Sequence, residues 1–152
     1  MQITRQADYA IRAVQYLSFI ELKHQAEKPE IASVEPAKRN NDLKKRVATK
    51  DIAENKKIPP SFLAKIISSL CNAEILETSR GARGGVSLNR FPEDISLLDV
   101  VEAIDGSIKL NECVAESGNC NMEEDCPLKP IWIEAQAALV EKLEATKFDQ
   151  LA

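Results

Sequence analysis

The first regular element that the hydrophobic pattern predicts is an amphipathic helix over residues 4–22. Its apolar residues recur at three- and four-residue intervals, and they are Ala7, Ala10, Ile11, Val14 and Leu17. Thr4 stands where an N-cap is needed. Residues 23–48 lose this periodicity and contain two prolines and the basic run 44–46. Because such a stretch buries too little apolar surface to offset its ordering entropy, it is predicted to be a long, mobile loop.

Two short helices separated by a tight turn are predicted next. Thr49 is placed to cap the first helix, which runs to about Ile58. The second helix starts near Pro60 or Ser61 and has two distinct faces. The apolar face carries Phe62, Leu63, Ile66, Ile67 and Leu70, and the small, polar and basic face carries Ser61, Ala64, Lys65, Ser68 and Asn72. This arrangement is typical of a helix-turn-helix.

Residues 75–78 and 86–89 predict two short strands joined by a glycine-rich hairpin loop. The loop contains Arg80, Arg83 and Gly84. Because glycines add no side-chain bulk, both arginines can reach a narrow groove or a phosphate. A nucleotide phosphate loop is disfavoured, since the G-x-x-x-x-G-K-[ST] order is missing and a strand follows instead of a helix. The hairpin is therefore predicted to be a wing.

The last third of the chain predicts two further helices. Ser96 and Asp99 have the spacing of a capping box, and Gly106 would end the helix that follows them. Pro127 is placed at the start of a long helix that reaches about Lys147. The apolar stripe of this helix consists of Trp132, Ala135, Leu139 and Leu143. An exposed stripe of this kind needs a partner surface. The helix could fold back on its own domain, but a symmetric homodimer is the expected solution.

Together these elements predict a mainly α fold, namely a winged helix-turn-helix domain with a two-stranded wing and a long C-terminal dimerisation helix. Residues 1–95 are expected to form the DNA-binding domain, and residues 96–152 the cysteine loop and dimerisation helices. No apolar run approaches the roughly 18 to 20 residues of a membrane span, and the first residues do not resemble a signal peptide. We therefore expect a cytoplasmic protein with no membrane partner.

The charge of the chain is divided along its length. The net charge is -4, but residues 38–90 hold twelve lysines and arginines against five acids, whereas residues 91–152 hold four against fourteen. Because affinity for phosphates follows local charge, the acidic total does not exclude a nucleic-acid partner.

Three cysteines lie in a polar, acidic stretch, with six residues between Cys113 and Cys120 and five between Cys120 and Cys126. These gaps are wider than those of paired zinc ligands and favour an iron-sulfur cluster, which normally takes four protein ligands. A zinc or purely thiol-based site remains an alternative. Cys71 lies in an apolar helical run and is interpreted as a buried packing residue. A cysteine nucleophile is disfavoured because the single histidine, His24, is a poorly placed base.

Several motifs occur together in this order. They are Ile3-Thr4 with Asp8-Tyr9-Ala10, residues 58–63 (IPPSFL), Arg80-Gly81 with Gly84-Gly85, residues 100–106 (VVEAIDG), and the three cysteines. In this combination the chain resembles the bacterial winged-helix iron-sulfur transcription regulators, the family that includes IscR and NsrR. The resemblance covers nearly the whole chain apart from residues 23–48.

The resemblance implies a dimeric repressor that binds a pseudo-palindromic operator in double-stranded DNA. The recognition helix would enter the major groove, and the wing would place Arg80 in the flanking minor groove. The residues expected to contact DNA are Thr49, Ser61, Lys65, Ser68, Arg80, Arg83 and Gly84. An interaction adaptor that reuses the winged helix without binding DNA is the alternative.

The resemblance also implies that Cys113, Cys120 and Cys126 bind a [2Fe-2S] or [4Fe-4S] cluster. One branch of the family has a histidine three residues after its last cysteine, where this chain has Lys129. The branch that senses nitric oxide uses an aspartate of the first helix, donated across the dimer, and Asp8 occupies that position. The alternative for Asp8 is an ion pair with Arg12, one helical turn away.

Overall fold

The computed structural model describes residues 2–32, 44–114 and 126–152. In these ranges the protein is mainly helical with a two-stranded antiparallel sheet, which confirms the predicted fold class. None of the helices described in these ranges is long and apolar enough to cross a bilayer. Cys120 and residues 33–43 of the predicted loop lie outside the described residues.

Helix α1 (Arg5–Glu27) begins as predicted, since the Thr4 hydroxyl accepts a hydrogen bond of 3.2 Å from the Ala7 N–H. It continues five residues beyond the predicted end, and a further turn, α2 (Pro29–Ala32), follows it. The prediction of a loop from residue 23 onward is therefore wrong where these helices extend into it.

The end of α1 is stabilised by a buried acid. Glu21 accepts hydrogen bonds from the backbone N–H of Lys45, at 2.9 Å, and from the Gln25 side-chain amide, at 3.3 Å. Lys45 lies 24 residues away in sequence, so local periodicity gives no sign of this contact. The hydrogen bond between Lys45 and Glu21 explains why α1 continues where its apolar pattern ends.

Helices α3 (Thr49–Lys56) and α4 (Pro60–Asn72) form the helix-turn-helix. Lys57 closes the turn in a left-handed conformation with φ of 52°, and the N–H of Ile58 donates to the carbonyl of Ala53 at 3.0 Å. A proline at the first position of α4 leaves no N–H unsatisfied there.

Two details of this motif differ from the prediction. The N-cap of α3 is Ala48, and Thr49 is the first helical residue, so the predicted Thr49 cap is wrong. Phe62 is 37% exposed instead of lying on the buried face, and its ring packs edge-on against Tyr9 with centroids 5.9 Å apart. The other residues predicted for the apolar face are buried, namely Leu63, Ile66, Ile67 and Leu70.

Strands β1 (Leu76–Ser79) and β2 (Gly85–Leu88) form the antiparallel hairpin, with β1 starting one residue later and β2 one residue earlier than predicted. Val47 extends the sheet by a bridge to Val86, in which each N–H donates to the other carbonyl at 2.8 Å. Residue 47 therefore belongs to the edge of the wing and not to the predicted loop.

Helix α5 (Leu97–Asp105) follows the hairpin. Both bonds of the predicted capping box are present, because the Ser96 hydroxyl accepts from the Asp99 N–H and the Asp99 carboxylate accepts from the Ser96 N–H. Gly106 ends the helix with φ of +78°, as expected for a glycine after a helix.

The long C-terminal helix, α6 (Lys129–Ala145), begins after Pro127, and Pro130 is the proline of its first turn. The predicted start at Pro127 is therefore wrong by two residues. After α6 a short 3-10 turn, Phe148–Gln150, returns to the domain. The Phe148 side chain is fully buried, and its N–H donates to the Ile95 carbonyl at 3.0 Å.

Helix α1 lies at the centre of the fold and contacts α3, α4, α5 and β2. Three small residues on its inner side, Ala7, Ala10 and Ala13, are buried and let the neighbouring helices approach closely. The hydrophobic core includes Val14, Leu17, Ile52, Leu63, Ile66, Leu70, Ile75, Leu88, Ile95, Val100 and Phe148. Residues from both sides of the predicted 95/96 division thus share one core.

Candidate DNA interface and cysteine site

The outer face of α4 is the first part of the candidate DNA interface. Ser61, Lys65 and Ser68 are exposed and follow one another at four- and three-residue spacing, so they form one stripe along the helix. Among the described residues, no acid pairs with Lys65. The stripe is free to present a hydroxyl, an ammonium and a second hydroxyl to a ligand. These groups can bind phosphates and base edges.

The N-terminus of α3 supplies a further exposed hydroxyl. Thr49 is the first residue of this helix, and it is exposed. Lys50 beside it pairs with Glu54 at 3.7 Å, but both side chains are mostly exposed, so this pair adds little stability. The start of α3 therefore offers backbone N–H groups and a threonine hydroxyl of the kind that bind phosphate.

The wing presents Arg80 and Arg83, and both side chains are exposed. They flank the tip of the hairpin between β1 and β2, as predicted. Their long side chains project from a loop without large neighbours, so they can reach beyond the protein surface to a groove.

Gly84 shapes the wing tip. Its N–H donates to the Gly81 carbonyl at 2.9 Å, and a side chain there would overlap the Ser79 carbonyl oxygen. Gly85 is also constrained, since a Cβ atom would lie 2.7 Å from the Val47 carbonyl oxygen. The turn and the sheet edge thus require glycine at both positions. The predicted contact of Gly84 with DNA remains a prediction.

Lys44 does not belong to the exposed basic surface. Although it opens the basic run 44–46, its side chain is buried beneath the wing. Burial lowers the pKa of Lys44, and the negative charges of Glu77 and Glu21 oppose that change. Sequence analysis missed this structural role, because a basic run without periodicity is also the pattern of a solvated loop.

The described cysteines of the triad lie at the two ends of the cysteine loop. Cys113 is in the 3-10 turn Glu112–Val114, and Cys126 immediately precedes the turn that leads into α6. Both are half-buried free thiols. Across the described ranges, with Cys120 outside them, three or more metal-binding side chains do not come together. The complete triad therefore stays a prediction.

Hydrogen bonds tie both ends of the cysteine loop to neighbouring structure. The Leu110 N–H donates to the Gln136 side-chain oxygen of α6 at 3.0 Å, and the Lys129 N–H donates to the Cys126 carbonyl at 3.3 Å. Cys71 is apart from the loop in α4, where burial, and to a smaller extent the charge of Glu77, raises the pKa of its thiol. A raised pKa disfavours the thiolate, which agrees with a packing role for Cys71.

Asp8 forms an ion pair with Arg12, as the alternative interpretation predicted. Its carboxylate lies 2.7 Å from the Arg12 guanidinium, and both side chains are 48% exposed. The Arg12 guanidinium also lies over the Tyr9 ring, at 5.8 Å from the ring centre. The predicted ligand role of Asp8 requires a second chain, and it stays a prediction.

Helix α6 leaves an apolar surface uncovered. Within the described part of the chain none of its residues is buried. The large exposed apolar side chains on and just before it are Leu128, Ile131, Trp132 and Ile133. Of the predicted stripe, Trp132 and Ala135 are exposed, whereas Leu139 and Leu143 are half-buried. Several large exposed apolar side chains close together in the sequence indicate an interaction site.

Comparison with known proteins agrees with this geometry. The family model for Rrf2, an iron-dependent transcriptional regulator, matches residues 37–152. The HTH-type transcriptional regulator NsrR of Shouchella clausii is 29% identical over 145 residues, which cover 95% of this chain and 83% of that protein. The similarity therefore spans both the helix-turn-helix and the cysteine region.

The fold is shared with solved structures. IscR of T. potens aligns over 99% of this chain and 86% of its own, with a TM-score of 0.67 and 22% identity. CymR (YrzC), the global cysteine regulator of B. subtilis, aligns over 99% and 96%, with a TM-score of 0.70 and 21% identity. The matching family model and NsrR are both described as transcriptional regulators, which agrees with the prediction that the protein is not an enzyme. The chain belongs to the Rrf2 family of transcriptional regulators, in which the winged helix-turn-helix binds DNA.

Proposed function

We propose that the protein is a cytoplasmic, homodimeric repressor whose affinity for operator DNA is controlled by an iron-sulfur cluster. The observation that carries the DNA-binding part is the exposed Ser61, Lys65 and Ser68 stripe of α4 in the same domain as a wing with two exposed arginines. In the complex, α4 lies in the major groove and Arg80 enters the flanking minor groove. Thr49 contacts the phosphate backbone between them.

Dimerisation is supported by the uncovered apolar side chains of α6. Each apolar side chain that is fully buried against a second copy adds about 1.5–3 kcal/mol. A two-fold symmetric dimer presents two copies of α4 to two operator half-sites, so affinity depends on the spacing between the two helices.

The residues that hold the cluster are Cys113, Cys120, Cys126 and, as the fourth ligand, the partner subunit's Asp8. Three thiolates and a carboxylate are a donor set that suits iron. Cys113 and Cys126 are both free and half-buried, which makes them accessible to a ligand while keeping them close to the protein body. A bound [2Fe-2S] or [4Fe-4S] cluster supplies a group that responds to oxygen, nitric oxide or iron supply.

The protein's own contacts provide a route from the cysteine loop to the DNA surface. The Leu110–Gln136 and Lys129–Cys126 hydrogen bonds connect the loop to α6. Helix α6 contacts α5, and α5 contacts both α1 and α4. A change in the shape of the loop therefore moves α6 and alters the spacing of the two recognition helices. An operator with fixed half-site spacing converts that shift into lost affinity.

A regulator that senses through its thiols, without a cluster, is the second candidate. Cys113 and Cys126 are free thiols at the two ends of one loop, and a response to thiol chemistry needs no metal. The similarity of fold to CymR, named a global cysteine regulator, is compatible with this candidate.

The test is to purify the protein without oxygen and to measure iron, sulfide and visible absorption. Replacing Cys113, Cys120 or Cys126 with serine should abolish bound iron, whereas the matched control Cys71→Ser should retain it. Iron loss in Cys71→Ser but not in Cys120→Ser would show that the ligand set is wrong. A colourless parent protein whose DNA affinity responds to thiol oxidation would favour the second candidate.

DNA binding is tested separately with an operator selected by the parent protein from a random duplex library. Cluster-loaded and cluster-free protein should differ in affinity by at least about tenfold, in the range typical of allosteric coupling. Equal affinity of the two forms would contradict control by the cluster. Absence of any salt-dependent affinity for duplex DNA would favour the adaptor alternative.

A further inference from the structure

Lys44 is a buried charge that contact with DNA cannot explain. Its side chain is 6% exposed. The ammonium donates a hydrogen bond to the Asn89 carbonyl and lies over the Phe91 ring, at 5.2 Å from the ring centre. Asn89 immediately follows β2 and Phe91 comes two residues later, so Lys44 contacts the wing where the second strand leaves the sheet.

The contacts around Lys44 fasten the wing on several sides. The Asn89 N–H donates to the Ile75 carbonyl at 2.8 Å, and its side-chain amide donates to the Glu74 carbonyl at 3.0 Å. Asn89 therefore connects the end of β2 to the segment between α4 and β1. By holding the Asn89 carbonyl, Lys44 acts on the base of the hairpin from which Arg80 projects.

The residues after Lys44 connect the same segment to α1 and to the middle of β2. The Lys45 N–H donates to the buried Glu21 carboxylate at 2.9 Å, and Val47 pairs with Val86. Residues 44–47 thus join the wing to the central helix.

The chemistry of lysine suits a positioning role better than simple packing. A buried ammonium is expensive to desolvate, and an apolar side chain could fill the same space without that penalty. What the ammonium adds is direction, because its hydrogen bond and its contact with an aromatic face both depend on geometry.

We propose that Lys44 is a positioning residue for DNA recognition, which holds the wing at the distance from α4 that lets Arg80 and the α4 stripe bind the same DNA site. The inference rests on the wing contact in the proposed function. It assigns to Lys44 an effect on DNA affinity that is exerted through the wing and not through direct contact.

The test is a double-mutant cycle between Lys44→Met and Arg80→Ala on the selected operator. Methionine keeps the length and the apolar stem of lysine but removes the charge. Lys44→Met alone should weaken binding about tenfold, whereas in the Arg80→Ala background it should weaken binding less than about twofold, because the contact that it positions is already absent. The matched control is Lys45→Met, which removes an exposed charge in the same segment. Its effect should be the same in both backgrounds.

Additive effects of Lys44→Met and Arg80→Ala would overturn the proposal, since a residue that only supports the fold would weaken binding regardless of the wing. If Lys44→Met does not fold, Phe91→Leu tests the same contact from its other side and should give the same non-additive pattern with a smaller effect. Failure of the parent protein to bind any duplex would instead contradict the DNA-binding function itself. The two failures are therefore distinguishable.

Discussion

Helices α4 and α6 both carry apolar side chains, but in the part of the chain that the structure describes only α4 has apolar residues that are fully buried. Four apolar residues of α4 are buried in the core, namely Leu63, Ile66, Ile67 and Leu70. None of the residues of α6 is buried in the described structure, and Ile131 is 59% exposed. The position of α4 is thus set within one chain, whereas α6, beside the cysteine loop, leaves apolar side chains exposed for the second copy that we propose.

This difference separates the two tasks of a regulator. A reading surface must keep its geometry to match base edges, and the packed core beneath α4 provides this constancy. A sensing region must change its arrangement when its ligand changes. In the proposed dimer, contacts between two chains through α6 are suited to such change because they are not part of the core that holds α4.

The largest effect is expected from a substitution in the core beneath α4. Leu70→Ala removes a fully buried side chain and should lower the free energy of unfolding by about 2–5 kcal/mol, as measured by urea denaturation. On the exposed face of the same helix, Ser68→Ala should change it by less than about 0.5 kcal/mol. Equal stability of the parent and Leu70→Ala would show that this core does not hold α4.

The next prediction tests whether the exposed apolar side chains of α6 form the dimer interface. Ile131→Asp places a charge on the uncovered apolar surface and should give a folded monomer by sedimentation velocity, with unchanged helical content by circular dichroism. Affinity for the full operator should fall about 100-fold, because a monomer binds one half-site. Glu144→Gln, about 20 Å further along the same helix, is the control and should remain dimeric. A dimeric Ile131→Asp protein would place the interface elsewhere.

The DNA-reading side is sharpened by two surface substitutions. Lys65→Ala should weaken operator binding by about 1–3 kcal/mol if the ammonium reaches a base edge. Arg80→Ala should weaken binding and also relax the preference for A·T-rich flanks, since a narrow minor groove attracts arginine. Titration by fluorescence anisotropy measures both effects, with Lys109→Ala as the exposed control. Unchanged binding in both variants would show that this surface does not contact the operator.

Lys44, the buried charge beneath the wing, is expected to have a smaller effect, on the pH dependence of stability. The pKa of Lys44 is lowered by burial, so in alkaline solution the unfolded chain holds more protons at this site than the folded protein. Lys44 should therefore add stability as the pH rises from its folded pKa towards the ordinary lysine value of about 10.4. Urea denaturation across this range should show a rise in the parent relative to Lys44→Met. If the stability of the two proteins depends on pH in the same way, the pKa of Lys44 is not lowered in the folded protein.

The smallest change in stability is expected at Asp8. Its exposed ion pair with Arg12 contributes about 0.3 kcal/mol, so Asp8→Ala and Arg12→Ala should be almost equally stable. The two variants should differ in the cluster-loaded protein, because only Asp8→Ala removes a proposed ligand. We expect altered absorption or circular dichroism of the cluster in Asp8→Ala alone. Identical spectra for both variants would leave Asp8 as the ion-pair partner of Arg12.

The sequence by itself was sufficient where the determining contacts are local. The Thr4 cap and the Ser96–Asp99 capping box join residues three apart, and both were predicted. The apolar face of α4 follows the helical period, so its buried residues were also predictable, with Phe62 as the exception. Phe62 is at the edge of that face, where it packs against Tyr9 of a distant helix but stays partly exposed. The family could also be identified from the sequence, because the order of the motifs along the chain can be read without any tertiary contact.

Only the tertiary structure decided the roles of residues 44–47. Lys44 contacts a carbonyl 45 residues away, and Lys45 contacts a carboxylate 24 residues away. Val47 completes an edge of a sheet whose strands come after two further helices. In the sequence these residues have no periodicity and belong to a basic run, which is also the pattern of a solvated loop. Burial and pairing with distant groups decide such cases, because the same lysine is a surface charge or a buried anchor according to what the fold brings beside it.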